Sequence, residues 1–240
     1  MPTVDVDIKK LLESGAHFGH KTSRWHPKMA PYIYAKKGGI HIIDLTQTVN
    51  GLNKALDFVA DCSSNGRQIL LVGTKRQAKD VIKNLGEKTG MPYVIERWLG
   101  GTLTNWTTIS GRVKHLKELE EKMASGELLN KYSKLEVQRF QEEIDRLNIL
   151  YGGIKGLNSR PGALFVADIL HDDLAVKEAR RLGIPVVAIV DSNGDPTAVD
   201  FPIPANDDAI KTIQLIADYI DQAIEAGKQK TTKGAEKQGE

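Results

Sequence analysis

The residues whose side chains are best suited to binding a charged partner lie between His17 and Leu45, where cations and aromatic rings are interleaved along the chain. Between 21 and 37 there are five cations and no acid, the cations being Lys21, Arg24, Lys28, Lys36 and Lys37. Trp25, Tyr32 and Tyr34 are interleaved with them. Lysine and arginine neutralise phosphates, and aromatic faces stack on unpaired bases. The pattern favours binding of a nucleic acid, with RNA as the natural candidate, over a merely solvated charged loop.

A second group of polar residues, RWLGGTLTNW at 97–106, combines a glycine pair with small polar side chains. Gly100 and Gly101 would let backbone N–H groups approach an anion, and Arg97 and Asn105 lie on either side of them. This chemistry suits a phosphate–sugar backbone. The alternative is a tight crossover into the insertion, in which Trp98 and Trp106 are buried as packing anchors.

Carboxylates follow two predicted strands in the second half of the chain, where open α/β sheets place their ligands. They are Asp191, Asp195, Asp207 and Asp208, and His17 could approach them from the N-terminal segment. Carboxylates with one imidazole could hold a divalent cation, and no other cofactor is expected. The alternative is that Asp207 and Asp208 cap a helix and that 192–196 is an ordinary turn.

The sequence lacks the signatures of common enzymes. It contains no G-x-x-x-x-G-K-[ST], G-x-G-x-x-G, G-x-S-x-G or H-E-x-x-H pattern. Lys75 and Arg76 still stand at the start of a predicted helix, where a phosphate can bind, with a solvated helix face as the alternative. The only cysteine, Cys62, excludes an intramolecular disulfide framework.

The elements that must position these residues alternate between short apolar runs and helical patterns. This predicts an α/β fold with a central parallel sheet flanked by helices, of flavodoxin or Rossmann type. Strands are predicted at 40–45, 68–73, 93–95, 163–168, 185–191 and 201–203. Pro27 and Pro31 predict that the basic segment is an irregular, extended connection. The last helix is predicted to end at Gly227, before a disordered tail at 228–240.

Residues 105–151 interrupt this alternation with two stretches of apolar residues at a 3.5-residue repeat. The repeat is formed by Ile109, Val113, Leu116 and Met123, and then by Val137, Phe140, Ile144, Leu147 and Tyr151. We expect an inserted antiparallel coiled-coil hairpin, which is either a structural arm or a docking arm. The α/β domain then comprises 1–104 and 152–227.

Charge is unevenly distributed along the chain. Residues 1–104 carry 15 Lys/Arg against 9 Asp/Glu, whereas residues 151–230 carry 8 against 12. The basic face therefore lies in the first half, and the acidic half would face solvent or a basic partner protein. Since no secretion signal and no apolar run of about 18 residues is present, we expect a cytoplasmic protein without membrane contact.

Five blocks of the chain resemble, in order, successive blocks of the family of bacterial small-subunit ribosomal protein two. They lie at 11–45, 69–78, 96–109, 161–196 and 199–213, and the most specific contain HFGHKTSRWHPKM and RWLGGTLTNW. The resemblance implies a structural protein without catalysis, seated on small-subunit ribosomal RNA. It also implies neighbouring ribosomal proteins as partners, including ribosomal protein one, a coiled-coil arm at the insertion, and no homo-oligomer.

Carried over by position, the resemblance implies RNA contacts for eleven residues, which are His17, His20, Lys21, Arg24, Trp25, Lys28, Lys36, Lys75, Arg76, Arg97 and Asn105. One departure is Gly194, where many members of the family have cysteine, so we expect no thiolate ligand there. Two rival functions remain open. One is an α/β enzyme that acts on a phosphosugar or nucleotide through Asp191 and Asp207, and the other is a protein-interaction adaptor that works through the hairpin.

Overall fold

A computed structural model describes residues 4–236, and the side chains of residues 4–230. The strands are Phe18–Lys21 (β1), Ile33–Lys37 (β2), Ile40–Ile43 (β3), Ile69–Val72 (β4), Tyr93–Val94 (β5), Ala163–Val166 (β6), Val186–Val190 (β7) and Phe201–Pro204 (β8). The helices are Ile8–Ser14 (α1), Leu45–Ser64 (α2), Lys79–Thr89 (α3), Trp106–Ala124 (α4), Glu127–Lys131 (α5), Lys134–Tyr151 (α6), Asp173–Arg181 (α7) and Ile210–Glu236 (α8). In this part of the chain, no helix combines the length and apolar composition needed to cross a membrane.

The large sheet has five parallel strands in the order β5-β4-β6-β7-β8. Its central strands β4, β6 and β7 are buried at every position, as their continuous apolar runs require. Successive side chains point to opposite faces, so Ile69 and Leu71 pack with helices α1, α2, α3 and α8. Leu70 and Val72 pack with α4, α6 and α7 on the other face. The predicted central parallel sheet flanked by helices is therefore confirmed.

A small antiparallel sheet, with strand order β1-β3-β2, is formed by the basic segment and the strand after it. The prediction of an irregular connection before residue 40 is therefore wrong for β1 and β2. Gly38 and Gly39 have φ values of 61° and 78°, which close the two-residue turn of the β2–β3 hairpin. The two prolines do have the expected effect locally, because the link between β1 and β2 contains a short 3-10 helix at Pro27–Tyr32.

Helices α4 and α6 pack through the apolar residues of the predicted repeat, including Val113, Leu116 and Ile144. Helix α6 begins with the capping box of Ser133 and Glu136. The polar contacts between the helices join His115 to Glu143 at 3.2 Å and Glu120 to Asn148 at 2.8 Å. In both pairs the residue on α6 lies 28 positions after its partner on α4, so the residue numbers increase in the same direction on both helices from one pair to the next. In an antiparallel coiled coil the number would increase on one helix and decrease on the other. These contacts therefore do not confirm an antiparallel coiled coil, which stays a prediction.

Helix α8 continues to Glu236, so the predicted helix end at Gly227 and the predicted tail at 228–236 are wrong. The reason is that Gly227 allows close packing instead of ending the helix. A Cβ atom at this position would lie 2.4 Å from the carbonyl oxygen of Ala60 on α2. The rest of the predicted tail, 237–240, lies outside the described residues.

Candidate nucleic-acid interface

The cations of the basic segment lie on the small sheet and on the turn that connects β1 to β2. All five predicted cations are exposed. Lys28 forms an ion pair with Asp195 at 2.8 Å and hydrogen-bonds the Thr197 hydroxyl at 2.7 Å. The other four form no ion pair with any residue between 4 and 230, and we call them the basic surface; they are Lys21, Arg24, Lys36 and Lys37.

The ion pair of Lys28 corrects the expectation that all five cations are uncompensated. Asp195 is 167 positions away in sequence, so a count of neighbouring acids could not find it. The hydrogen bond from Lys28 holds the pKa of Asp195 below its usual range. The positive charge of Lys28 is therefore largely cancelled within the protein.

Trp25 lies partly under the small sheet instead of projecting freely into solvent. Its ring centre is 5.2 Å from that of the fully buried His41, and the Lys36 Nζ lies 5.6 Å from the Trp25 ring. Burial lowers the pKa of His41, which favours the neutral ring beneath the tryptophan. The predicted stacking of Trp25 on RNA is thus restricted to the part of the ring that remains exposed. Tyr34, by contrast, is 78% exposed.

The small sheet is fixed to the loop that follows β7. The His26 N–H donates to the Ser192 carbonyl at 2.8 Å, and the His20 N–H donates to the Ser192 hydroxyl at 2.8 Å. Gly19 makes this approach possible, since a Cβ atom there would lie 2.7 Å from the same hydroxyl oxygen. The basic surface is therefore attached to the side of the large sheet at which its five parallel strands end, which we call the carboxyl edge.

Lys75 also lies at the carboxyl edge, but its ammonium group is enclosed by acids. Its Nζ lies 2.9 Å from Asp168, 2.7 Å from Asp207 and 2.7 Å from Asp208. Burial by itself would lower the pKa of Lys75, but the hydrogen bonds to these carboxylates raise it above its usual value. Three carboxylates that are distant in sequence thus pair with the charge of Lys75, and its contact with RNA stays a prediction.

His20 joins the same acidic cluster. Its ring nitrogens lie 3.1 Å from Asp191 and 3.3 Å from Asp208, and the close contact with the Asp191 carboxylate raises the pKa of His20. Burial raises the pKa of Asp207 to about 7, and repulsion from Asp168 and Asp191 contributes to the increase. The imidazole is therefore engaged within the protein, which leaves little of it for the RNA contact predicted from resemblance.

The predicted metal ligands are brought together only in part. Donor atoms of His20, Asp191 and Asp207 lie within 4.8 Å of one another. His17 does not belong to this group, since its ring packs against that of Phe18 with the ring centres 4.0 Å apart and the planes tilted by 40°, so its predicted place among the ligands is wrong. Asp208 binds Lys75 and His20 instead. The divalent cation stays a prediction, with His20 in place of His17 and the Lys75 ammonium as its competitor.

The glycine loop at 97–106 wraps around an internal carboxylate. Glu178 on α7 accepts hydrogen bonds from the Trp98 indole N–H at 3.1 Å and from the Gly101 N–H at 2.7 Å. It also accepts the N–H groups of Leu103 and Thr104 and the Thr104 hydroxyl, each at 3.0 Å. Glu178 therefore occupies the N–H groups of Gly101, Leu103 and Thr104 that were expected to face an anion, and the binding of phosphate backbone by this loop stays a prediction. The alternative is confirmed for Trp98, which is buried, whereas Trp106 is only half-buried.

Three other predicted contact residues remain accessible. Arg76 follows β4 and Arg97 follows the neighbouring strand β5, and both are exposed at the carboxyl edge without an ion pair in the described part of the chain. Asn105 is exposed where α4 begins, and its side chain accepts a hydrogen bond from the Thr108 hydroxyl at 3.0 Å. These residues extend the candidate interface beyond the basic surface, and their contact with RNA stays a prediction.

Comparison with known proteins gives one consistent family. The family model described as "Ribosomal protein S2" matches residues 11–227. The small ribosomal subunit protein uS2 of Roseiflexus castenholzii is 52% identical over 221 residues, which cover 92% of this chain and 84% of that protein. Those of Chloroflexus aurantiacus and Mesorhizobium japonicum are 48% and 50% identical. The matches cover 92% and 93% of this chain and 92% and 85% of those proteins.

Proposed function

Since this chain belongs to the ribosomal protein S2 family and is a structural, non-enzymatic constituent of the small ribosomal subunit, we propose that it binds small-subunit ribosomal RNA through its carboxyl edge. The observation that carries the proposal is the basic surface, whose four exposed cations lie on the small sheet and on its β1–β2 connection and form no ion pair within residues 4–230. Each such cation that meets a phosphate releases counterions and contributes affinity. As a constituent of the ribosome, the chain is expected in the cytoplasm.

The fixed position of the small sheet supports a structural role for these contacts. Phosphate contacts set the position and orientation of a protein on a nucleic acid. Two backbone groups of the basic segment are hydrogen-bonded to Ser192, so the cations are held relative to the large sheet. Arg76 and Arg97 lie on the same edge and would extend the contact along the RNA backbone.

The RNA proposal is tested with the full-length chain and small subunits that lack this protein. Arg24→Ala/Lys36→Ala should weaken co-sedimentation at about 0.15 M salt and reduce the dependence of affinity on salt by about two phosphate contacts. A matched control is Arg67→Ala/Arg160→Ala, which removes two exposed cations that precede β4 and β6 at the opposite edge. Equal losses in the two double variants would contradict the proposed location.

We also infer that the insertion at 105–151 docks a neighbouring ribosomal protein, and the family resemblance implies ribosomal protein one as the candidate. The supporting observation is a group of exposed apolar side chains on α5 and α6, with Leu129, Leu135 and Ile149 at least 60% exposed. Leu129→Ser/Leu135→Ser should reduce the amount of ribosomal protein one on small subunits while RNA binding is retained. Loss of both, or of neither, would argue against a docking arm.

A further inference from the structure

The outer face of the small sheet carries an apolar centre between two lysines. Directly opposed residues of antiparallel strands place their side chains on the same face. Lys21 and Lys37 both pair with Ile40, one from each side. Phe18 and Ala35 both pair with Ile42 in the next row, where a register shift between Phe18 and Lys21 brings these two residues to the same side of β1. These six residues form what we call the outer face.

This face is turned away from the protein. Along β3 burial alternates, with His41 and Ile43 buried and Ile40 and Ile42 only half-buried. The buried pair therefore points toward the core, and the outer face points toward solvent. Phe18 is 45% exposed, and Ala35 and both lysines are exposed. An aromatic ring and two isoleucines thus remain accessible on a sheet that is otherwise basic.

We propose that this outer face holds an unpaired nucleotide of small-subunit ribosomal RNA, with its base on Phe18 and Ile42 and its phosphates at Lys21 and Lys37. This inference rests on the proposed RNA binding and specifies the kind of RNA that this site accepts. The lysines lie on the two outer strands, about 10 Å apart at their Cα atoms from the usual strand spacing. A nucleotide between them presents an apolar face at its centre and negative charge at its ends.

The chemistry of the outer face distinguishes an unpaired nucleotide from a duplex. Bases inside an A-form helix are stacked on each other, so a duplex offers backbone and 2′-hydroxyl groups but no free base for Phe18. Splayed bases stack on aromatic side chains, and this contact is sequence-tolerant. Neither Lys21 nor Lys37 is neutralised by an acid within residues 4–230, which favours an anionic partner over an apolar peptide.

Crosslinking from the outer face identifies the occupant directly. A photoreactive benzoylphenylalanine is placed at Phe18 or at Ile42 of the full-length chain, which is then assembled into small subunits that lack this protein. We expect crosslinks from both positions to nucleotides of ribosomal RNA that are not base-paired. Crosslinks to a protein, crosslinks to paired nucleotides, or no crosslink from an incorporated chain would each overturn it. Failure of the unmodified chain to bind the particle would instead overturn the proposed function.

Binding measurements separate the ring from the charges. Phe18→Leu keeps an apolar side chain but removes the aromatic stacking surface. It should lower the affinity for small subunits by about fivefold or more, while the salt dependence of binding stays unchanged. Phe18→Tyr should restore the affinity. Lys21→Ala/Lys37→Ala should reduce the salt dependence by about two contacts.

The matched control is Ile8→Ala on α1, which removes a 46% exposed apolar side chain outside the small sheet and should leave RNA affinity unchanged. Thermal unfolding of each variant shows whether its fold is intact. Wild-type affinity of a folded Phe18→Leu protein would overturn the stacking of a base on this ring.

Discussion

The carboxylate of Glu178 lies inside the turn that contains Gly101, whose N–H donates to the Glu178 Oε1 at 2.7 Å. Gly101 has a φ of 90°, a left-handed conformation that directs its N–H toward the carboxylate and that glycine adopts without strain. A helix on one side of the large sheet thus orders the loop that leads into α4. The loop has the donors of an anion site, and the protein supplies the anion itself.

Replacing Glu178 should therefore affect stability more than RNA binding. Burial by itself would raise the pKa of Glu178, but the surrounding donors lower it. Glu178→Gln places an amide NH₂ against these donors and should cost about 2–3 kcal/mol of unfolding free energy at pH 7 in urea titrations. Glu121→Gln, at an exposed position of α4, should change it by less than about 0.5 kcal/mol.

The pH dependence supplies a second readout for Glu178. A carboxyl group with a lowered folded-state pKa stabilises the protein above its unfolded value of about 4.3, and this contribution is lost as pH falls through the folded-state pKa. The difference between wild type and Glu178→Gln should therefore shrink below about pH 4. A constant difference down to pH 3 would contradict the charged role of Glu178.

The sequence predicts best those elements whose apolar composition alone determines that they are buried. Strands β4 and β7 are continuous apolar runs, which few environments except a buried parallel strand can accept. Strands β1 and β2 were missed because FGHK and IYAKK lack a clear apolar alternation. The pair Gly38–Gly39 was the available signal, since two adjacent glycines are typical of a hairpin turn.

The candidate site was harder to predict because some of its charged side chains form ion pairs or hydrogen bonds with residues that are distant in sequence. Lys75 meets Asp207 across 132 positions, and Lys28 meets Asp195 across 167. Counting the acids nearby in sequence correctly predicted that Lys21 and Arg24 form no ion pair with residues 4–230, but it could not identify the ion pairs of Lys28 and Lys75. The same limit applies to Glu178, which is separated from Gly101 by 77 positions.

Releasing Lys28 from its ion pair should strengthen RNA binding. Asp195→Asn keeps a side chain that can accept the Thr197 N–H, which the Asp195 carboxylate now accepts at 2.9 Å, but it no longer neutralises Lys28. The variant should bind small subunits lacking this protein more tightly, with a salt dependence steeper by about one contact.

The control for this variant is Glu118→Gln, which releases Lys114 from an exposed pair on α4 and should leave affinity unchanged. Filter binding or sedimentation over a salt series measures both variants. Unchanged or weaker binding by Asp195→Asn would show that Lys28 does not face the RNA.

Removing the charge of Asp207 should stabilise the protein at high pH. An Asp207 pKa of about 7 exceeds the unfolded value of about 3.9, so the folded state binds this proton more tightly. Stability from Asp207 is therefore present below about pH 4 and is lost as pH rises toward 7. Asp207→Asn should flatten this decline and gain roughly 1–2 kcal/mol at pH 8, because Asp168 and Asp208 still bind Lys75.

Urea unfolding between pH 4 and 8 measures the effect of Asp207, and Asp208→Asn is the matched control. Asp208 binds the same lysine, but its side chain is 52% exposed, so its charge costs little desolvation and its removal should not stabilise the protein. If Asp207→Asn were less stable than wild type at pH 8, the charged form of Asp207 would be a net stabilising partner of Lys75.

Two glycines in helices should respond in opposite directions to alanine. A Cβ atom at Gly227 would lie 2.4 Å from the Ala60 carbonyl oxygen and 2.7 Å from the Ser63 Cβ, so α2 and α8 would have to separate. Gly227→Ala should therefore cost about 1–3 kcal/mol despite the higher helix propensity of alanine. At Gly111 on α4 a Cβ atom would have no neighbour within 4 Å, and Gly111→Ala should gain up to about 1 kcal/mol. Urea unfolding of both variants compares the signs directly, and stabilisation by both would mean that α8 does not pack closely on α2 at Gly227.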